Sequence, residues 1–200
     1  MNEGKQVSLK EHIYSVLVVT ASSKFGEEIS RLLPEATYSP VHFVQSINAA
    51  QRSILENSYD LIIINTPLPD DFGIKFAIDV SVTKTSVVML FVRNDMYSSV
   101  FEKVSGFGVF TIRKPTPTQS INQALDWLKT TRERMRNMEH RTLSIQEKME
   151  EIKIVNRAKW TLISALGMSE ADAHRYIEKQ SMDRCVSRRE IAETIIKTYK

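Results

Sequence analysis

Few residues of this 200-residue chain are spaced for catalysis. Asp70 and Asp71 are adjacent, following Leu68-Pro69 and preceding Gly73. Paired carboxylates in a turn read as solvated turn formers, and no metal is assigned to them. Cys185 is the single cysteine, which excludes an intramolecular disulfide and any cysteine-cluster zinc site. The four histidines show no paired spacing. What the sequence offers instead is charge. Residues 1–127 hold 11 Lys+Arg against 13 Asp+Glu, a balance of −2. Residues 128–200 hold 16 against 11, a balance of +5. A basic second half suits a polyanion partner as well as it suits a solvated helical surface.

The elements that carry these groups follow from hydrophobic spacing. Short apolar runs at Ser15–Val19, Val41–Val44, Asp60–Ile64, Ser86–Val92 and Val109–Ile112 predict five strands. Helical stripes fall between them, at Phe25 to Leu33, Ala49–Leu55, Phe76–Val80 and Tyr97–Val104. Strands alternating with helices predict an α/β fold, a five-stranded parallel sheet in the flavodoxin-like order. Functional groups then gather at the carboxyl ends of the strands. Pro117 can open a helix, and neither Pro nor Gly follows until Gly167. A seven-residue register places Leu128, Met135, Thr142, Met149 and Asn156 on one seam position, and Thr131, Met138, Ile145 and Ile152 on the other. This predicts a parallel dimeric coiled coil, with Arg132, Glu133, Arg134, Arg136, Glu139 and Arg141 as its polar flanks. Beyond it three short helices are expected. The first has Ile152, Val155, Leu162 and Leu166 on one side. The second is capped by Ser169 and carries Ala173, Tyr176 and Ile177. The third is capped by Ser187 with Glu190, and its stripe is Ile191, Ile195 and Ile196. No apolar run approaches a membrane span, and Met1–His12 is too polar for a signal peptide, so a cytoplasmic protein is expected.

The first half resembles the receiver domain of two-component response regulators. The pieces in register are VLVV at 16–19, DLIIINTPLP at 60–69 with Gly73 after it, and Arg113-Lys114-Pro115. The resemblance implies a phosphoacceptor Asp at the end of the third strand, where this chain has Asn65. It implies two acidic magnesium ligands after the first strand, where this chain has Thr20 and Ala21. The hydroxyl residue closing the fourth strand is replaced by Phe91 or Val92. An amide cannot attack phosphorus as a carboxylate does, and Mg²⁺ needs hard oxygen ligands. Only Lys114 survives. With the rest of the site gone, it reads as a salt-bridged or snorkelling lysine at a turn.

The C-terminal stretch resembles the ANTAR module of bacterial transcription antitermination regulators. The resemblance rests on Ala158-Lys159, Leu162, Gly167-Met168-Ser169-Glu170, Ala173, Ser181-Met182-Asp183-Arg184, Ser187 and Arg189 through Glu193. Trp160, His174 and the Cys185-Val186 pair depart from its pattern. The resemblance implies RNA binding by three helices, with Lys159, Arg184 and Arg189 as phosphate or base contacts and Arg188 an extra cation beside them. Trp160 is read as core in preference to a base-stacking platform. A helix-turn-helix is not supported, since Cys185-Val186-Ser187 lacks the usual Gly. The expected organisation is an N-terminal lead at 1–12, a pseudo-receiver at 13–120, a coiled-coil helix at 121–150 and an RNA-binding domain at 151–200. The expected function is a non-enzymatic antitermination regulator, needing no cofactor and acting as a homodimer on hairpin leader RNA. The alternative is a protein-interaction module whose receiver-like half docks a sensor protein.

Overall fold

The computed structural model describes residues 12–83 and 85–199, so the expected N-terminal lead lies outside the described residues apart from His12. The chain forms two compact units, one through Arg136 and one from Asn137 onward. In the first, β1 (Tyr14–Val19), α1 (Ser23–Arg31), β2 (Tyr38–Val44), α2 (Ile47–Glu56), β3 (Leu61–Asn65), α3 (Ile74–Thr83), β4 (Val87–Arg93), α4 (Tyr97–Val104) and β5 (Phe110–Lys114) alternate in order. The five strands are all parallel in the order β2-β1-β3-β4-β5. Pro40 sits in β2, at the sheet edge, where a missing N–H breaks no central ladder.

Alternation along the strands divides the core into two faces. Leu17, Val19, Ile62, Ile64, Val88 and Leu90 pack with Ala50, Phe76, Ala77, Val80, Val100 and Val104 from α2, α3 and α4. Val16, Val18, Leu61, Ile63, Val87 and Met89 face the other way, onto Ile29 and Leu33 near α1. That second layer is completed by Ile121, Ala124, Leu125 and Leu128 of α5 (Thr118–Leu166), a single 49-residue helix.

The start of α5 is therefore the fifth helix of the α/β unit, which corrects the coiled-coil assignment for this part of the helix. Leu128, placed on the seam, is fully buried against the sheet, and Met135 packs on the same cluster. Burying one leucine contributes roughly 2 kcal/mol. An exposed ion pair contributes about 0.5 kcal/mol, so the apolar contacts decide which way this segment faces. Part of the supposed polar flank turns inward as well, through Arg132, Glu133 and Arg136, while Arg134 and Arg141 stay exposed. Arg132 Nε and Arg136 Nη2 meet Asp60 Oδ1 at 2.9 and 3.0 Å, and Arg132 is almost fully buried. Asp60 Oδ2 also accepts the Ser15 N–H. Tyr14 donates its hydroxyl to Glu133 Oε1 at 2.9 Å. Burial and that acceptor push the Tyr14 phenol up to about 12.

The second unit holds the end of α5, then α6 (Glu170–Arg184) and α7 (Arg188–Thr198). Its core is Ala158, Leu162, Ala173, Ile177, Ile191, Ala192 and Ile195. The expected stripe of the first helix is partly corrected. Leu162 is buried and Val155 packs on the cluster, but Ile152 and Leu166 are exposed. The helix instead presents Ile154, Ala158 and Leu162 at four-residue intervals. Trp160 is 68% exposed, so the core reading of this residue is wrong. Tyr176 also stands at the surface, at 37%.

Burial pushes the Asp60 carboxyl up, but the Ser15 N–H, Arg132 and Arg136 outweigh it and leave the group below its ordinary value. Its contribution to stability is full above the ordinary carboxylate value of about 4 and is lost as pH falls through the lower folded value. Asp60→Asn should cost about 3 kcal/mol, because it removes the carboxylate that Arg132 and Arg136 share. Urea titrations of parent and variant should differ by this much at pH 7 and converge at acid pH.

Candidate functional site

The carboxyl end of the sheet gathers the residues expected there. Asn65 closes β3, is buried, and pairs in register with Phe91 of β4. Its Nδ2 donates to Thr20 Oγ1 at 3.0 Å. Thr20 Oγ1 also accepts the Ser22 N–H at 3.1 Å. On the other side, Lys114 Nζ donates to Asn65 Oδ1 at 2.7 Å and to the Thr66 carbonyl. Lys114 does not snorkel and forms no salt bridge among the described residues, which corrects the expectation for it. Its amine turns into the structure and ends a chain that runs hydroxyl, amide, ammonium. Burial first, and Arg93 second, push its pKa down. Ala21 sits beside this chain on an exposed bend and adds no polar side chain.

These residues do not fit a divalent cation. Thr20, Ala21 and Asn65 supply no carboxylate, and the amide oxygen is taken by an ammonium group. A cavity of about 300 Å³ opens at this point, lined by Ser22, Lys24, Glu28, Asn65, Thr66 and Lys114.

The loop after β3 shows a feature that sequence reasoning missed. Asp70 Oδ1 and Oδ2 accept the N–H groups of Ile47 and Asn48 at 3.0 and 2.9 Å. Ser46 Oγ accepts the next, that of Ala49. The first-turn donors of α2 are thus met by its own cap and by a carboxylate from a different loop. Asp71 Oδ1 accepts the Gly73 N–H at 2.6 Å, an Asx-type turn, as its turn-forming reading implied. Gly73 itself needs a left-handed backbone, and a Cβ there would press on Ile64 and Ile47.

In the second unit the expected caps are present. Ser169 accepts the Asp172 N–H and Ser187 accepts the Glu190 N–H. Gly167 ends α5 in the left-handed conformation, as expected of a C-terminal glycine. The turn after α6 achieves the same geometry without glycine. Cys185 adopts φ 53°, ψ 37°, donating its N–H to Met182 O, while Val186 N–H reaches Ser181 O. This is a Schellman motif with an ordinary side chain at the left-handed position. It turns the chain directly from Arg184 to the Ser187 cap and so sets where Arg188 begins α7.

A groove of about 410 Å³ lies in this unit, lined by Lys148, Ile152, Val155, Lys159, His174 and Arg188 among others. Of the four cations singled out in the sequence, it brings Lys159 and Arg188 together. Arg188 Nε lies 3.6 Å from Glu151, and Lys159 Nζ lies 3.1 Å from Glu170. Arg189 is held by Glu193 on α7 at 3.0 Å and does not line the groove. Arg184 is exposed at the end of α6, outside the groove lining, and makes no ion pair among the described residues. Lys148 and His174 were missed as candidates. Lys148 had a legible signal: it precedes Lys159 by eleven residues, about three helical turns, on the face that also carries Ile152 and Val155. The groove therefore combines the apolar Ile152 and Val155 with three cations, Lys148, Lys159 and Arg188, against one carboxylate, Glu151.

Comparison with known proteins agrees with this division. Residues 144–196 match the ANTAR domain family. Over 183 residues, 92% of this chain and 89% of the relative, the sequence is 21% identical to the transcriptional regulatory protein PdtaR of Mycobacterium tuberculosis. The signal receiver domain of an HD domain-containing protein from Pseudomonas fluorescens Pf-5 superimposes with a TM-score of 0.57 at 19% identity, covering 68% of this chain and 98% of that one. The beryllofluoride-activated NtrC4 receiver domain dimer gives 0.52 at 21% identity, covering 60% and 98%. These likenesses establish the receiver fold of the first unit. Among the described residues, no helix is long and apolar enough to cross a membrane.

A left-handed residue with a Cβ carries a steric cost of roughly 1–2 kcal/mol, which glycine avoids at some expense in chain entropy. Cys185→Gly should therefore stabilise the C-terminal unit by about 0.5–1 kcal/mol. Thermal unfolding of the two proteins under reducing conditions checks this.

Proposed function

Given a receiver fold followed by an ANTAR domain, we propose that this protein is a non-enzymatic, RNA-binding transcription antitermination regulator that acts as a cytoplasmic dimer on hairpin leader RNA. The carrying observation is the groove within the ANTAR-matched segment, where Lys148, Lys159 and Arg188 surround Ile152 and Val155. Cations attract the phosphate backbone, while apolar side chains accept an unstacked base. Hairpin loops supply such bases, and A-form grooves hide theirs. Exposed Trp160 offers a stacking platform nearby in sequence. Arg184 and Arg189 add phosphate contacts outside the groove.

The receiver fold takes no phosphoryl group in this reading, because Asn65 stands at the acceptor position and Thr20 and Ala21 at the metal-ligand positions. Its role is docking. Tyr97 and Phe101 stack at 5.8 Å, Arg113 lies 4.2 Å over the Tyr97 ring, and Phe101 is half exposed. This aromatic and cationic surface favours a sensor protein as a second partner of the receiver.

The dimer is held by the exposed part of α5. Met138, Ile145 and Met149 are all more than half exposed and recur at coiled-coil spacing beyond the sheet-packed segment. Met138→Lys and Ile145→Lys should each shift the protein toward monomer in sedimentation velocity, since the charge would face its symmetry mate. Parent-like sedimentation of both would remove this stripe as the seam.

RNA binding is tested with one-hairpin RNA, two-hairpin RNA and duplex DNA across a salt series, using the full chain. Lys159→Ala should weaken all RNAs alike and lower the salt slope by roughly 0.7–0.9 for each phosphate no longer neutralised. Arg188→Ala should cost about 1–3 kcal/mol with a loop-sequence preference, as removing a base-edge hydrogen bond does. The two-hairpin RNA should bind more tightly, because its second hairpin binds intramolecularly. Equal binding of hairpin RNA and duplex DNA, with both variants unchanged, would leave the protein-interaction reading instead.

A further inference from the structure

The groove of the second unit holds a carboxylate that a plain polyanion site would not want. Glu151 lines it together with Lys148, Lys159 and Arg188. On α5 it lies next to Ile152 and one turn before Val155, so its charge stands among the apolar residues of the groove. Its Oε1 is 3.6 Å from Arg188 Nε, within ion-pair range and too far for a hydrogen bond. Both side chains are partly exposed, at 36% for Glu151 and 51% for Arg188, so the pair stabilises the fold little. Nor is it needed to join α5 to α7, because Ala158 and Leu162 already pack with Ile191, Ala192 and Ile195. Lys159 differs. Its partner, Glu170, is 76% exposed, lies outside the groove lining and can swing into solvent.

We infer that Glu151 is a specificity-determining residue of this groove, keeping phosphate groups away from Arg188 while admitting the edge of an unpaired base. The inference rests on the RNA-binding reading of the same groove. A phosphate that reaches Arg188 must displace Glu151 and then remain beside a like charge. A base edge is neutral and meets no such repulsion. A carboxylate only accepts, so the N–H groups of a base find in Glu151 a partner that phosphate oxygens do not. Rejection of the wrong ligand by a repulsive group is a general route to specificity. The two cations are thereby assigned different work. Lys159 is free to meet the backbone once Glu170 moves aside, and Arg188 is kept for a base.

The test uses the full chain and Glu151→Gln, which keeps the size of the side chain and one acceptor oxygen and removes the charge. Affinities are measured for a hairpin RNA, a fully paired RNA of equal length and a duplex DNA, across a salt series. Loss of a like charge at ion-pair distance should tighten binding of both duplexes about ten-fold. Their salt slopes should steepen by roughly 0.7–0.9 for each phosphate newly engaged. Hairpin affinity should change less, so the preference for hairpin over duplex falls by nearly the same factor. In the double variant Glu151→Gln, Arg188→Ala the gain for duplexes should vanish, since Arg188 is the group that Glu151 shields. Glu170→Gln should leave the hairpin preference as in the parent. An unchanged preference in Glu151→Gln, weaker binding of all three ligands, or a gain that persists in the double variant would overturn the inference. If the parent itself does not prefer the hairpin, the RNA-binding reading fails and this inference with it. A hairpin-selective parent matched by an equally selective Glu151→Gln defeats the role of Glu151 alone.

Discussion

The attachment of α5 to the sheet through Asp60 is the contact on which the two-layered first unit depends. One carboxylate, placed just before β3, meets guanidinium groups from two successive turns of the helix and the backbone of β1. The apolar row from Ile121 to Leu128 supplies the burial, but such a row does not fix rotation or height by itself. Asp60 and the Tyr14–Glu133 bond fix both at the amino end of the strands. The carboxyl end, where Asn65 and Lys114 lie, is left free of this network. The fold thus keeps its charged anchor and its candidate site at opposite ends of the same strands.

Much of the fold was legible because its signals are local. Runs such as Asp60–Ile64 and Ser86–Val92 state burial on both faces, and Ser169, Ser187 and Gly167 state where helices begin and end. The failures share one cause: the deciding partner lies far along the chain. Arg132 and Arg136 look like the solvent flank of any charged helix, and only Asp60, more than seventy residues away, turns them inward. Leu128 fits a heptad and a sheet-facing stripe equally well, so periodicity alone cannot choose between them. Trp160 was misplaced by the general rule that large aromatics are buried, whereas four-residue spacing through Ile154, Ala158 and Leu162 points the core another way.

The candidate sites divide in the same manner. Sequence identified Thr20, Asn65 and Lys114 one by one, but not that they form a single hydrogen-bonded chain. In the second unit, Lys159 and Arg188 converge because the Cys185 turn sets the start of α7, and a left-handed cysteine has no signature in sequence. Arg184 and Arg189 belong to the same short stretch yet point to other surroundings. Adjacency in sequence is a poor guide to adjacency on a helical bundle.

Asp70 has a consequence of a different kind. The opening turn of an isolated helix frays easily, because its first amides have only water or one cap to hold them. In α2 those amides are shared with a loop that leaves β3, so the turn cannot fray unless that loop lifts away. The two segments become one opening unit. The loop beside the vestigial site is accordingly stitched to a neighbouring helix, and its stillness comes from a carboxylate that looks, in an acidic pair, like nothing more than a group for water.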